Sequence, residues 1–179
     1  MDTLQAIIGD YPLFLKQILA EIKAEGFDLS DFVQMDHMCY RAPSLERYAV
    51  KKDALTNVGT LLGEAQINRR PIAVFRLDKP VYYEGWRIDT IELPAPKEGV
   101  ATKEGLEHVE MVLFDDKETF LKKYSDKPFE MKAADRGVNP DIAFRLPTYT
   151  VKFHWLNLPT VIYLEQKLGM TDIRDSVHE

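Results

Sequence analysis

The sequence predicts an α+β protein: two βαβββ modules forming a cupped, partly closed mixed sheet, with a helical N-terminal extension. Three observations predict it. Helical spacing of apolar residues is strongest near the N-terminus, in "TLQAIIGDYPLFLKQILAEIKAEG". Most of the remaining chain is short strand-like runs bounded by Gly and Pro. The order strand, helix, three strands then occurs twice, on either side of the linker-like "PAPKEGVATKEG". The expected boundaries are 1–32 for the extension, 33–97 for the first module and 98–179 for the second, all in one compact domain.

Taken in order, Leu13, Phe14, Ile18 and Ile22 follow a three-to-four spacing and Gly26 offers a stop. Pro12 belongs in the first turn of a second helix, so a short helix, a break at "GDYP" and a longer helix are expected. "DLSDFVQ" reads as a further helical turn and "MDHMCYRA" as a strand. "SLERYAVKKDALTNVGTLLG" returns to helical periodicity, with Ser44 as its N-cap. "GEAQIN", "PIAVFRLDKPVYY" and "WRIDTIEL" are three strands. Beyond the linker come the strand "LEHVEMVLF" and the helix "DDKETFLKKYS", acidic in its first turn and basic in its last. "FEMKAAD", "DIAFRLPTYTVKFHW" and "TVIYLEQKL" supply the remaining strands, and "GMTDIRDSVHE", with His178, is a polar tail.

The 179 residues carry a net charge of −6, and no basic run exceeds two residues, which argues against a nucleic-acid surface. Anionic small molecules remain compatible, because an acidic protein can hold a basic pocket. Cys39 is the single cysteine, so no internal disulfide forms. The N-terminus lacks the basic region of a signal peptide, and no apolar run approaches bilayer length. A cytoplasmic protein without membrane contact is expected.

If the halves are duplicates, their polar positions should correspond. "DHMCYR" matches "EHVEMV", which places His37 on His108. "IDTIEL" matches "VIYLEQ", which places Glu92 on Glu165. The His-to-Glu separations are 55 (92 − 37) and 57 (165 − 108) residues. If two imidazoles and two carboxylates converge on one concave sheet face, the carboxylates would repel each other and each would pay desolvation unless a cation joined them. His37, His108, Glu165 and Glu92 are therefore the candidate ligands of a divalent metal. Mixed N/O ligation suits Zn, Ni, Mn or Fe(II).

Other residues surround this set. Glu110 shares a face with His108; it could orient that ring, act as a general base or be a solvated edge residue. His154, in "VKFHW", could replace Glu92, act as a base or be a strand-end residue. Arg41 shares parity with His37 and could bind a substrate carboxylate or pair with a structural acid. Arg69 and Arg70, in "QINRRPI", form either a charged turn or an anion clamp at the pocket mouth. Cys39 reads as a small buried apolar group.

The repeated order, with His opening each module and Glu closing it, resembles the vicinal oxygen chelate (glyoxalase/dioxygenase-like) superfamily. More narrowly, "DHMCYRAPSLERY", "GTLLGEAQINRRPIAVFRLDKPV", "GWRIDTIELPAPK" and "EGLEHVEMVLF" resemble the YecM family, over roughly residues 30–115, with the second module matching more loosely. The resemblance implies a cupped sheet with metal in the cup, but no single reaction. Superfamily members isomerise hemithioacetals, cleave catechol rings, epimerise acyl thioesters, or modify or sequester antibiotics. A metal-dependent enzyme on a small oxygen-chelating substrate is expected. Four ligands suit an isomerase, lyase or epimerase; a two-His, one-Glu triad suits a dioxygenase. A non-catalytic binder of a small molecule or metal chelate is the alternative, and oligomer formation stays open.

Overall fold

Asp2 and Asp10 each begin a helix by accepting a backbone N–H, from Gln5 and Leu13 respectively. The helices are α1 (Thr3–Ile8) and α2 (Tyr11–Ala24), with Pro12 in the first turn of α2 and Gly9, at φ 87°, in the break between them. The structure is a computed structural model that describes residues 2–134 and 139–169. The tail with His178, and with it the end of the expected second module, lies outside the described residues.

A single 3-10 turn, Leu29–Asp31, stands where more helix was anticipated, and "FVQ" already belongs to β1 (Phe32–Arg41). Ser44 caps α3 (Leu45–Leu55), accepting from the N–H of Arg47. That helix ends sooner than its pattern suggested, since "GTLLG" opens β2 (Gly59–Ile67). β3 (Arg70–Tyr83) follows a two-residue turn in which Asn68 and Arg69 both have positive φ, the conformation that matches strand twist in a tight hairpin. β4 is Trp86–Pro94.

In the second half, β5 (Gly105–Leu113) leads to α4 (Lys117–Lys123), capped by Asp116, then to β6 (Glu130–Ala133), β7 (Asp141–Arg145) and β8 (Thr150–His154). Two expectations are corrected here. "DIAFRLPTYTVKFHW" is not one strand but the hairpin β7–β8. "TVIYLEQKL" is not a strand but most of helix α5 (Leu158–Leu168). Asn157 caps α5, Pro159 sits in its first turn and Gly169 ends it in the left-handed region.

The eight strands form one mixed sheet in the order β2-β3-β4-β1-β5-β8-β7-β6. The first half contributes β2-β3-β4-β1 and the second β5-β8-β7-β6, so the halves join edge to edge through the antiparallel β1–β5 pair. β1 is parallel to β4, and β5 is parallel to β8. One sheet face shares a core with α1 to α4, including Met38, Phe75, Ile91, Val109 and Phe153. On the opposite face Leu158 and Ile162 of α5 pack on Val74 and Leu62, so α5 lies across the cup.

Two β-bulges position the site. Met35 pairs with Met111 and His37 with Glu110, which leaves Asp36 as the extra residue on β1. Cys39 pairs with His108 and Tyr40 with Leu106, which leaves Glu107 as the extra residue on β5. A regular strand sends neighbours to opposite faces, whereas a bulge lets two successive side chains share one. Both bulges fall at the same place in their halves, since 36 + 71 is 107. Their effect shows in the core: Met35 and Met38, and Leu106 with Val109, are three apart yet pack on the same helical side.

Candidate metal centre

Each bulge delivers an acid–histidine pair. Asp36 Oδ2 lies 3.0 Å from His37 Nδ1, and Glu107 Oε2 lies 2.9 Å from His108 Nδ1. With Nδ1 engaged, each ring presents Nε2 to the cup, and both Nε2 atoms are buried with no hydrogen-bond partner. Glu110 Oε1 lies 3.5 Å from His37 Nε2 and 3.3 Å from His108 Nε2; Glu92 Oε2 lies 3.8 Å from His108 Nε2. His37, Glu92, His108 and Glu110 each offer a ligand atom within 4.8 Å of the others, so this cluster could hold a metal ion. Two imidazoles oriented by carboxylates, beside two further carboxylates, fit a borderline divalent cation.

The electrostatics follow from that crowding. Burial opposes protonation of His37, but Glu110 and Asp36 outweigh it and push its pKa up to about 10. Burial also opposes ionisation of Glu110, yet Lys152 and the two histidines hold its carboxyl well below the usual range. Glu92 is lowered against the same burial by His37 and Lys152. The Lys152 ammonium donates to Glu110 Oε1 at 2.6 Å. Burial pushes the Cys39 thiol well up, with Glu92 adding to it, which keeps it the neutral group its composition suggested.

The outer layer is tied to the fold. Asp36, fully buried, also accepts the N–H of Leu158 at 2.8 Å, so the first turn of α5 holds the carboxylate that holds His37. Arg41 donates to Glu107, tying β1 to the β5 bulge. His154 is buried and turned inward: its Nδ1 accepts from Asn139 Nδ2 at 3.0 Å and its Nε2 lies 3.4 Å from Asp36 Oδ2. Burial lowers its pKa, so it is a neutral ring. We expect Asp36→Asn to keep the Leu158 hydrogen bond and the fold but to weaken metal binding by about 10–100-fold, the usual effect of losing an orienting carboxylate; competition with a chelating dye measures it.

Of the residues singled out from the sequence, the structure brings together His37, His108, Glu92 and Glu110, with His154 beside them. Arg41 and Arg70 line the same cavity of about 450 Å³. Glu165 is the exception. It is buried on α5, outside that cluster and outside the residues lining the cavity. The pairing register supplies the true counterpart of Glu92. Glu92 pairs with Cys39, position 39 + 71 is Glu110, and Glu110 pairs with Lys152. Asp36, Glu107, Lys152 and Asn139 had not been singled out. The first two carried a signal, an acid immediately before each matched histidine.

A duplicated βαβββ sheet with a His/Glu cluster in its cup defines a class of protein with a site able to hold a metal ion. The YecM protein family profile matches residues 3–165, and the chain belongs to the YecM family. It is 30% identical over 184 residues to Protein YecM of Escherichia coli, covering 93% of this chain and 96% of that protein. An uncharacterised protein of Haemophilus influenzae is 32% identical over 112 residues, covering 63% of this chain and 58% of that one. The solved structure described as "Structural Genomics, Protein EC4020" superposes with a TM-score of 0.76 at 30% identity, covering 93% of this chain and 94% of that chain. Among the described residues no helix is long and apolar enough to cross a membrane.

Proposed function

We propose that the chain is a divalent-metal-dependent enzyme of the vicinal oxygen chelate type, acting on a small substrate that offers two oxygens. One observation carries this reading: two buried Nε2 atoms without partners face a shared carboxylate, each fixed by its own acid on the far side of the ring. His37, His108, Glu110 and Glu92 would be the ligands. Zn, Ni, Mn or Fe(II) bound there would supply Lewis acidity to the chelating oxygens.

The chain's own residues supply the rest. Asp36 and Glu107 set the tautomer and aim of the two rings. Lys152 places positive charge beside Glu110. His154 accepts from Asn139 at Nδ1 and so carries its proton on Nε2, toward Asp36. That arrangement suits a positioning role better than proton removal. Four ligands favour an isomerase- or lyase-type step. Glu92 stands furthest from the imidazoles, however, and this supports a second reading in which His37, His108 and Glu110 form the facial triad of an iron oxygenase.

Metal analysis by mass spectrometry on protein purified without chelator or tag should find about one equivalent of a transition metal. Glu110→Gln should lose it, and Glu165→Gln should retain it. Full metal content in Glu110→Gln would sink the ligand set. A wild-type protein that takes up no metal on titration would leave a non-catalytic binder.

A further inference from the structure

Arg70 opens β3 beside the cup, and its Nη1 donates to the carbonyl of Ala95 at 2.9 Å. Its Nε is buried and donates to nothing among the described residues. A buried donor left unpaired has given up its hydrogen bond to water, so an acceptor arriving from solvent would recover that loss. Lys97 and Arg41 line the same cavity, and the three cations strain against one another: burial lowers the pKa of both Arg70 and Lys97, and neighbouring arginines lower each further. Arg41 is committed to Glu107, which leaves Arg70 and Lys97 to receive a ligand. Arg70 stands four residues along β3 from Val74, which pairs with Glu92; that is about 13 Å of strand at 3.3 Å per residue, of which the long arginine side chain spans part.

We propose that the ligand of this cup carries a second oxyanion, a terminal carboxylate held by Arg70 with Lys97, several carbons from its chelating end. This rests on the metal reading above and names its substrate class: an oxo or hydroxy acid with a distal carboxylate. A guanidinium edge with an unpaired Nε receives a carboxylate in a fixed plane, which makes Arg70 a specificity-determining residue.

Isothermal titration of the Mn²⁺-loaded chain with 2-oxoadipate and with 2-oxohexanoate tests it, since the two share carbon number and chelating end and differ in the distal charge. The dianion should bind at least about tenfold tighter, a gap of about 1.4 kcal/mol. Arg70→Met should reduce the preference to within about twofold, with Mn²⁺ and 2-oxohexanoate affinities unchanged; Lys97→Met should reduce it part of the way. Equal binding of the two acids by the wild type, or a preference that survives Arg70→Met, would overturn the proposal. Adipate on the metal-free chain reads the anchor alone. If Mn²⁺ does not bind but adipate does, and Arg70→Met abolishes it, the metal reading fails and the anion site stands. If adipate binds equally to wild type and Arg70→Met, the anion site fails on its own.

Discussion

His108→Ala is expected to abolish stoichiometric metal binding while leaving the far-UV circular dichroism unchanged. The two halves of that result have separate causes. The backbone pairing of His108 with Cys39 and Thr150 needs no imidazole, and the lost ring faces the cup, where water can fill the space. The cluster, however, loses one of its two nitrogens. Losing only an orienting partner weakens metal sites by about 10–100-fold, so losing the ligand should cost at least about 10²-fold. Thermal melts give an independent readout. Metal at about 100 times its Kd stabilises a native state by about 2.7 kcal/mol. For a chain of this size that raises Tm by roughly 5–10 °C. The wild type should show the rise and His108→Ala should not. Equal shifts in both would remove His108 from the ligand set.

Phe153→Ala is expected to lower stability by about 3–5 kcal/mol, a large part of the roughly 5–15 kcal/mol that holds a domain together. Phe153 is fully buried on β8, and its ring lies 5.0 Å from Phe120, 5.2 Å from Phe27 and 5.4 Å from Phe32. Those partners come from α4, from the segment after α2 and from β1, so the cavity cannot close by moving one element. The neighbours Lys152 and His154 face the cup. The variant should therefore bind metal normally at low temperature and unfold at lower urea. A loss under about 1 kcal/mol would show that this aromatic cluster is not packed as described.

Much of the architecture was legible because its signals are local. Pro12 after the break at "GDYP" and Ser44 before a helical run are local punctuation, and the 71-residue offset between His37 and His108 survives as a register. The second half was harder. Val161, Ile162 and Tyr163 are strand-formers by propensity. Yet Leu158, Val161, Ile162 and Glu165 fall at helical spacing, and Asn157, Pro159 and Gly169 punctuate both ends. Matching "IDTIEL" to "VIYLEQ" compared strings, whereas the duplication lives in strand pairing, where Lys152 faces the role of Glu92. Asp36 and Glu107 were missed for another reason. Regular alternation sends the residue before a cup-facing histidine to the core, and nothing in a period of two announces a bulge.

The seam between β1 and β5 has a consequence for rates. His37 pairs with Glu110, 73 residues later (110 − 37), so that seam joins strands far apart in the chain. Such distant pairing is entropically late, because the loop must be closed before its contacts reward it. Neither half alone holds more than one of the two imidazoles, so the cluster is complete only once that seam has closed. A cation bridging the seam would therefore leave the refolding rate almost untouched and slow unfolding instead. In that sense the centre would act as a clasp on the finished molecule, setting how long the two halves stay joined.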